Sequence, residues 1–264
     1  MEPQFSNTHR VLSSLSMEDI SRLRVVSKKW REMCISIPIL HFNDLRYRNN
    51  ETKQAQLMSY IDRFWLLRIG MDTQSCYVRW FLRSSLFDEE EEHSHILSWM
   101  ENSVRCNVEL LNVEIILEKN ADFPLPPHIL RSKSLKYLRI HLNNGILNFP
   151  SSLTTFGFSS LQFLSLKSVE MDEGAKSLII TSCSLEQFVI LFATGLHHVD
   201  VSAKILKLLI LYWGFDPSSN KTLQISAPKL KNLFLMGDIS NFSSEDYFKH
   251  SCTTGIVTRN YSDF

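Results

Sequence analysis

LKYLRI, at residues 135–140, decides the fold. Its Leu135, Leu138 and Ile140 repeat an apolar spacing of three and then two residues. The same spacing recurs in VELLNV (108–113), LQFLSL (161–166), LEQFVI (185–190), LKLLIL (206–211) and LKNLFL (230–235). Successive starts at 108, 135, 161, 185, 206 and 230 lie 27, 26, 24, 21 and 24 residues apart. In an extended chain, side chains alternate between two faces. The last two apolar residues of each hexapeptide therefore share one face, and the residues between them share the other.

A period of 21–27 residues is that of leucine-rich repeats, an α/β fold in which each coil contributes one strand to a parallel sheet. One coil cannot bury its own apolar face, but stacked coils share a continuous core. A weaker series, Leu196/Val199/Val201 and Asn220/Leu223/Ile225, starts about ten residues before the strands at 206 and 230. It reads as elements on the back of the same coils. Parity then places Tyr137, Arg139, Phe163, Lys167, Leu208, Ile210, Tyr212, Asn232 and Phe234 on the concave face. The set is unusually apolar for solvent, as binding surfaces are. It is the expected target-binding site, unless flanking segments cover it.

Upstream the pattern is helical. Ser16 followed by Asp19 has the spacing of a capping box. Ile20, Leu23, Val26, Trp30 and Met33 follow at three- and four-residue steps and predict one apolar stripe. Arg22, Arg24, Lys28, Lys29 and Arg31 take the remaining surface, as a solvated face or a rim opposite an acidic partner. Pro38 closes the segment. Residues 43–56 are polar and read as a linker. Leu57, Ile61, Phe64 and Trp65 predict a second amphipathic helix, and Tyr77–Leu82 a strand. The acidic run Asp88–Glu92 suits a solvated loop or a helix start, with Ile96, Leu97, Met100 and Val104 on the helix after it. The expected organisation is a helical unit at 1–42, a linker and helical/strand cap region at 43–106, repeats at 107–240 and a tail at 241–264.

Composition narrows the function. In 264 residues, 28 Lys+Arg balance 28 Asp+Glu. That argues against a nucleic-acid partner, which needs a large positive excess. The most continuous apolar stretch, Phe188 to Leu196, falls well short of the roughly 20 residues of a membrane span. The N-terminus lacks a basic start and apolar run, so no secretory signal is expected. Cys34, Cys76, Cys106, Cys183 and Cys252 are odd in number and widely spaced. They read as reduced, mostly buried thiols of an intracellular protein. His93 and His95 beside acids lack the ordered donor set of a zinc site. His197 and His198 are adjacent and cannot converge on one strand face. GFSSL (157–161) is not a Gly-x-Ser-x-Gly nucleophile turn, and no phosphate loop occurs. No catalytic residue, metal or cofactor is expected.

Several stretches carry a resemblance. HRVLSSLSMEDISRLRVVSKKWREMCISIPILHFND (9–44) looks like an F-box, with Asp19, Ile20, Val25, Val26, Ser27, Lys28, Lys29, Trp30 and Arg31 matching the plant version. HSHILSWMENSVRCNVELLNV (93–113), LNFPSSL (147–153), SLQFLSLKSVEM (160–171) and LQISAPKLKNLFL (223–235) resemble plant F-box/FBD/LRR-repeat proteins. The Leu-Pro-x-Glu opening usual in that family is replaced by EPQFSNT (2–8). Many relatives also continue into an FBD domain past the position of Phe264, so the chain reads as a short member. The resemblance implies a non-catalytic adaptor in the cytoplasm or nucleus. It would join a Skp-type linker and cullin complex through the F-box and hold a target protein on the repeats. The alternative is a repeat scaffold that no longer binds the linker. Val11, Leu12, Leu15, Leu23, Val26 and Trp30 are the expected linker-binding face, some of them packing inside the helical unit. For Trp30 the internal core is the preferred place.

Overall fold

The computed structural model describes residues 11–68, 70–82, 89–148, 160–171, 177–213 and 222–236. The opening EPQFSNT, residues 149–153 of LNFPSSL, most of GFSSL, Asn220, Cys252 and the tail 241–264 lie outside them.

After a helical stretch at 11–13 come α1 (Met17–Leu23) and α2 (Lys28–Ile35). The N-cap half of the capping box forms: Ser16 Oγ accepts from the Asp19 amide at 3.2 Å, while the Asp19 carboxylate accepts from the Ser16 hydroxyl at 2.6 Å. The single stripe does not form. The chain turns at residues 24–26 and restarts at Ser27, whose hydroxyl accepts from the Trp30 amide. A serine cap offers the backbone an alternative to helix continuation. Val26 therefore leaves the stripe and stands in solvent.

Strand β1 (Ile39–Asn43) follows Pro38 directly. Then come a 3-10 turn (Leu45–Tyr47), α3 (Glu51–Leu67), β2 (Ser75–Leu82), α4 (Glu89–Arg105) and β3 (Leu110–Pro124). Helix α3 begins inside the polar stretch 43–56, capped by Asn50, which accepts from the Lys53 amide at 3.0 Å. Asp88 lies outside the described residues; Glu89–Glu92 of the acidic run open α4, and Glu92 is buried rather than solvated. Beyond β3 lie the short α5 (Pro127–Leu130), β4 (Tyr137–Asn148), β5 (Phe163–Met171), β6 (Ser177–Ser182), β7 (Gln187–Ala193), β8 (His198–Ala203), β9 (Leu208–Trp213), β10 (Thr222–Ser226) and β11 (Asn232–Met236).

Strands β1-β2-β3-β4-β5-β7-β9-β11 form one parallel sheet in that order, and β10-β8-β6 form a second parallel sheet. This is a leucine-rich-repeat α/β solenoid behind a small helical head. All three apolar residues of all six hexapeptides are buried. They stack in register, Leu111–Leu138–Leu164–Phe188–Leu209–Leu233 and Val113–Ile140–Leu166–Ile190–Leu211–Leu235. The second series supplies β8 and β10, and β6 joins them through Leu178 and Ile180.

The sheet starts two strands earlier than the hexapeptides indicate. Leu40 and Phe42 on β1, and Cys76 and Val78 on β2, extend both inward rows. With Ile37 and Thr73 they keep the three-then-two spacing, at starts 37, 73 and 108. These coils are longer because their backs are the 17-residue helices α3 and α4 rather than short strands. Aromatic rings close this end of the core. Phe42 lies 5.7 Å from Trp65 and 6.1 Å from Trp99, and Trp99 meets Trp80 edge-on at 4.9 Å.

Arg68 fastens the head to the solenoid. Fully buried at the end of α3, it donates to the Ile35 carbonyl that ends α2, to the Asp72 carbonyl at 3.2 Å and to Thr73 Oγ1 at 2.9 Å. Carbonyls at a helix C-terminus lack intrahelical partners, and a cation there also opposes the helix dipole. Asp44 does similar work at the other end of β1. Its carboxylate accepts from the Phe81 amide at 3.0 Å and from Gln54 Nε2 at 2.7 Å. Burial raises its pKa to about 7, against the lowering effect of those hydrogen bonds.

Candidate functional site

The open face of the eight-stranded sheet is built from the residues between the inward rows, and the register orders it into three cross-strand rows. The first contains Tyr137, Phe163, Leu208 and Asn232, and the second Tyr77, Arg139, Ile210 and Phe234. The third runs Arg79–Glu114–His141–Lys167–Leu191–Tyr212–Met236. All nine residues placed on this face by parity are exposed or half-buried, and they alternate with buried neighbours. Tyr137 and Phe163 lie 6.4 Å apart, and the Arg139 guanidinium sits 5.0 Å over the Phe163 ring.

The face divides into two halves. Toward the head it is polar. Arg79 pairs with Glu114 at 3.1 Å, and His141 approaches the same carboxylate at 3.7 Å. Burial, together with the charges of Lys167 and Arg79, lowers the His141 pKa, partly offset by Glu114. From β7 onward the face is uncharged and mostly apolar, with Gln187 and Asn232 as polar members of the first row. Phe192 adds to it unexpectedly. At φ +56° it stands at the irregularity between β7 and β9, 51% exposed, with its ring edge-on to Tyr212 at 4.6 Å. A left-handed aromatic residue is rare, so strict alternation gave no sign of it. Arg79, Glu114, His141, Leu191 and Met236 were also missed, although the same parity rule reaches them once the strands are aligned.

The head splits the six expected linker-binding residues. Leu12 is buried, while Leu15, Leu23 and Trp30 are half-buried and pack against the core. Val11 and Val26 are 62% and 65% exposed, and Val25, not expected on this face, is 80% exposed. Arg22 pairs with Glu18 at 2.6 Å, and Arg24 lies 5.7 Å over the Tyr60 ring. Lys28, Lys29 and Arg31 face solvent. Elsewhere, His95 pairs with Asp62 at 2.9 Å, and that carboxylate also accepts from Trp99 Nε1 at 2.6 Å, joining α3 to α4. Cys34, Cys76 and Cys106 are buried and Cys183 is exposed. Burial pushes the Cys76 thiol up to about 12, which leaves it inert.

Comparison with known families agrees with this architecture. The F-box domain model matches residues 8–42. A model described as "FBD-associated F-box protein At5g56370, LRR repeats" matches residues 96–251, more than half of the chain. The chain belongs to the plant F-box/LRR-repeat family. Among curated relatives from Arabidopsis thaliana, it is 29% identical over 170 residues to F-box protein At3g59150, covering 63% of this chain and 34% of that one. It is 25% identical over 243 residues to F-box/LRR-repeat protein At3g59210, covering 88% and 48%. It is 25% identical over 242 residues to F-box/FBD/LRR-repeat protein At5g22660, covering 90% and 46%. The F-box/LRR chain thus spans about half or less of the length of these relatives. No solved structure matches it. Among the described residues, no helix is long and apolar enough to cross a membrane.

Proposed function

We propose that this F-box/LRR chain is the substrate-recognition subunit of an SCF-type cullin RING ubiquitin ligase. In this reading Val11, Val25 and Val26 dock a Skp-type linker, and the open sheet face, from Tyr137 to Phe234, holds a target protein. The chain does no bond chemistry and acts in the cytoplasm or nucleus. It raises the effective concentration of target lysines at the ubiquitin-charged enzyme. The observation that carries the reading is the trio of exposed valines on an F-box head. Large apolar side chains left in solvent mark interaction surfaces when they gather on one small unit. The anchoring of that head by Arg68 supports it, since a loose head would not hold a target at a fixed distance.

Co-purification with a Skp-type linker tests this. The chain is expected to bind, and V25E/V26E to lose binding while melting at an unchanged temperature, because both side chains already face water. A folded chain that captures no linker overturns the reading and favours the repeat scaffold without linker contact. That alternative has support in the inward packing of Leu12, Leu15, Leu23 and Trp30, four of the six residues expected to dock.

A further inference from the structure

The two halves of the sheet face differ in chemistry. In its three registered rows, Arg79, Arg139 and Lys167 stand against one acid, Glu114, and all four lie on β2–β5. Half-buried His141 sits among them. On β7, β9 and β11 the same rows carry no charge: beside Gln187 and Asn232 they present Leu191, Ile210, Tyr212, Phe234 and Met236, and Phe192 adds its ring against Tyr212. Glu170 follows only past the left-handed Ser168 of β5, where the basic area ends.

From this division we propose that the face takes an extended acidic peptide whose carboxylates lie over β2–β5 and whose aliphatic or aromatic residues lie over β7, β9 and β11. The proposal rests on the reading of this face as the target surface. Charge complementarity chooses the acidic end, because Glu114 offsets only one of the three cations and a basic segment would meet a net excess of two like charges. The cations are spread over three strands rather than converging on a point. That arrangement suits several side-chain carboxylates along a chain better than a single phosphate group. The spacing follows from strand geometry. The centres of the two halves, between β3 and β4 and at β9, are about three and a half strands apart, about 17 Å at roughly 4.8 Å per strand. An extended chain crossing the strands covers that in about four to five residues. With three residues at each end, the motif is therefore acidic residues, a spacer of about two, then apolar residues.

Fluorescence anisotropy of the full chain with three labelled peptides tests it. The first carries Glu-Asp-Glu, two Ser/Gly residues and Leu-Phe-Leu. The second has Lys for each acid, and the third is a scramble. The first is expected to bind at least tenfold more tightly than the others. Its binding should fall at least tenfold in Lys167→Glu and in Phe192→Glu, both exposed sites that leave folding intact, and rise severalfold in Glu114→Gln. Equal binding of the first and third peptides, or no binding of the first, overturns the proposal. A lysine peptide that binds better and is lost in Phe192→Glu overturns the acidic chemistry but keeps this face as the target surface. Binding of any peptide that ignores every face substitution removes that reading as well.

Discussion

Replacing Arg68 with Met tests whether the F-box head is fixed to the repeats by one buried side chain. Methionine keeps much of the apolar stem and removes the guanidinium. Three hydrogen bonds vanish, to the Ile35 carbonyl, the Asp72 carbonyl and Thr73 Oγ1. Hydrogen bonds to a charged donor contribute about 1.5–3 kcal/mol each, so the gross loss is about 5–9 kcal/mol. Returning the charge to water offsets part of it, because Arg68 is fully buried and its pKa is held below the usual arginine value by that burial. A net destabilisation of about 3–5 kcal/mol remains. It should be local. Hydrogen exchange followed by mass spectrometry should show α1 and α2 amides protected far less than in the wild type. Amides of β4–β9, held by neighbouring strands, should change little. Arg68→Lys should recover only part of the loss, since an ammonium cannot span three acceptors as the planar fork does. Uniform loss of protection along the chain, or none within about 1 kcal/mol, would refute the view of Arg68 as the fastener of the head.

Other outcomes follow from the same geometry. Leu209 is fully buried in the middle of an inward row, so Leu209→Ala should cost about 2–5 kcal/mol in a urea melt. Asp44 has a folded pKa of about 7 against 3.8 in the free residue. Its contribution is therefore full below about pH 4 and is lost as pH rises through 7. Relative to Asp44→Asn, the wild type should lose on the order of 4 kcal/mol between pH 4 and 8, read as diverging melting temperatures. Burial, and after it the positive charges on β5 and β2, lower the His141 pKa, with Glu114 on β3 offsetting them only in part, and bound carboxylates would add to that offset. The acidic peptide should thus bind severalfold more tightly at pH 6 than at pH 7.5, and His141→Gln should abolish the difference in anisotropy titrations.

The sequence by itself determined the repeats, because their information is local. Period two within a strand and a near-constant coil length dictate which side chains are inward, and Leu138, Leu164 and Leu209 could face no other way. The same parity placed Tyr137, Ile210 and Phe234 outward. The first two coils escaped because their backs are helices, which stretch the spacing to 36 and 35 residues and hide Leu40 and Val78 from a search at 21–27. The stripe through Val26 misled because a helical period does not say where a helix stops, and Ser27 ends it with one hydrogen bond. Only the tertiary structure set Phe192 beside Tyr212, gathered Arg79, His141 and Lys167 around Glu114, and ran Arg68 to the end of α2. Those relations join residues far apart in the chain through strand register and burial, quantities that no local pattern encodes.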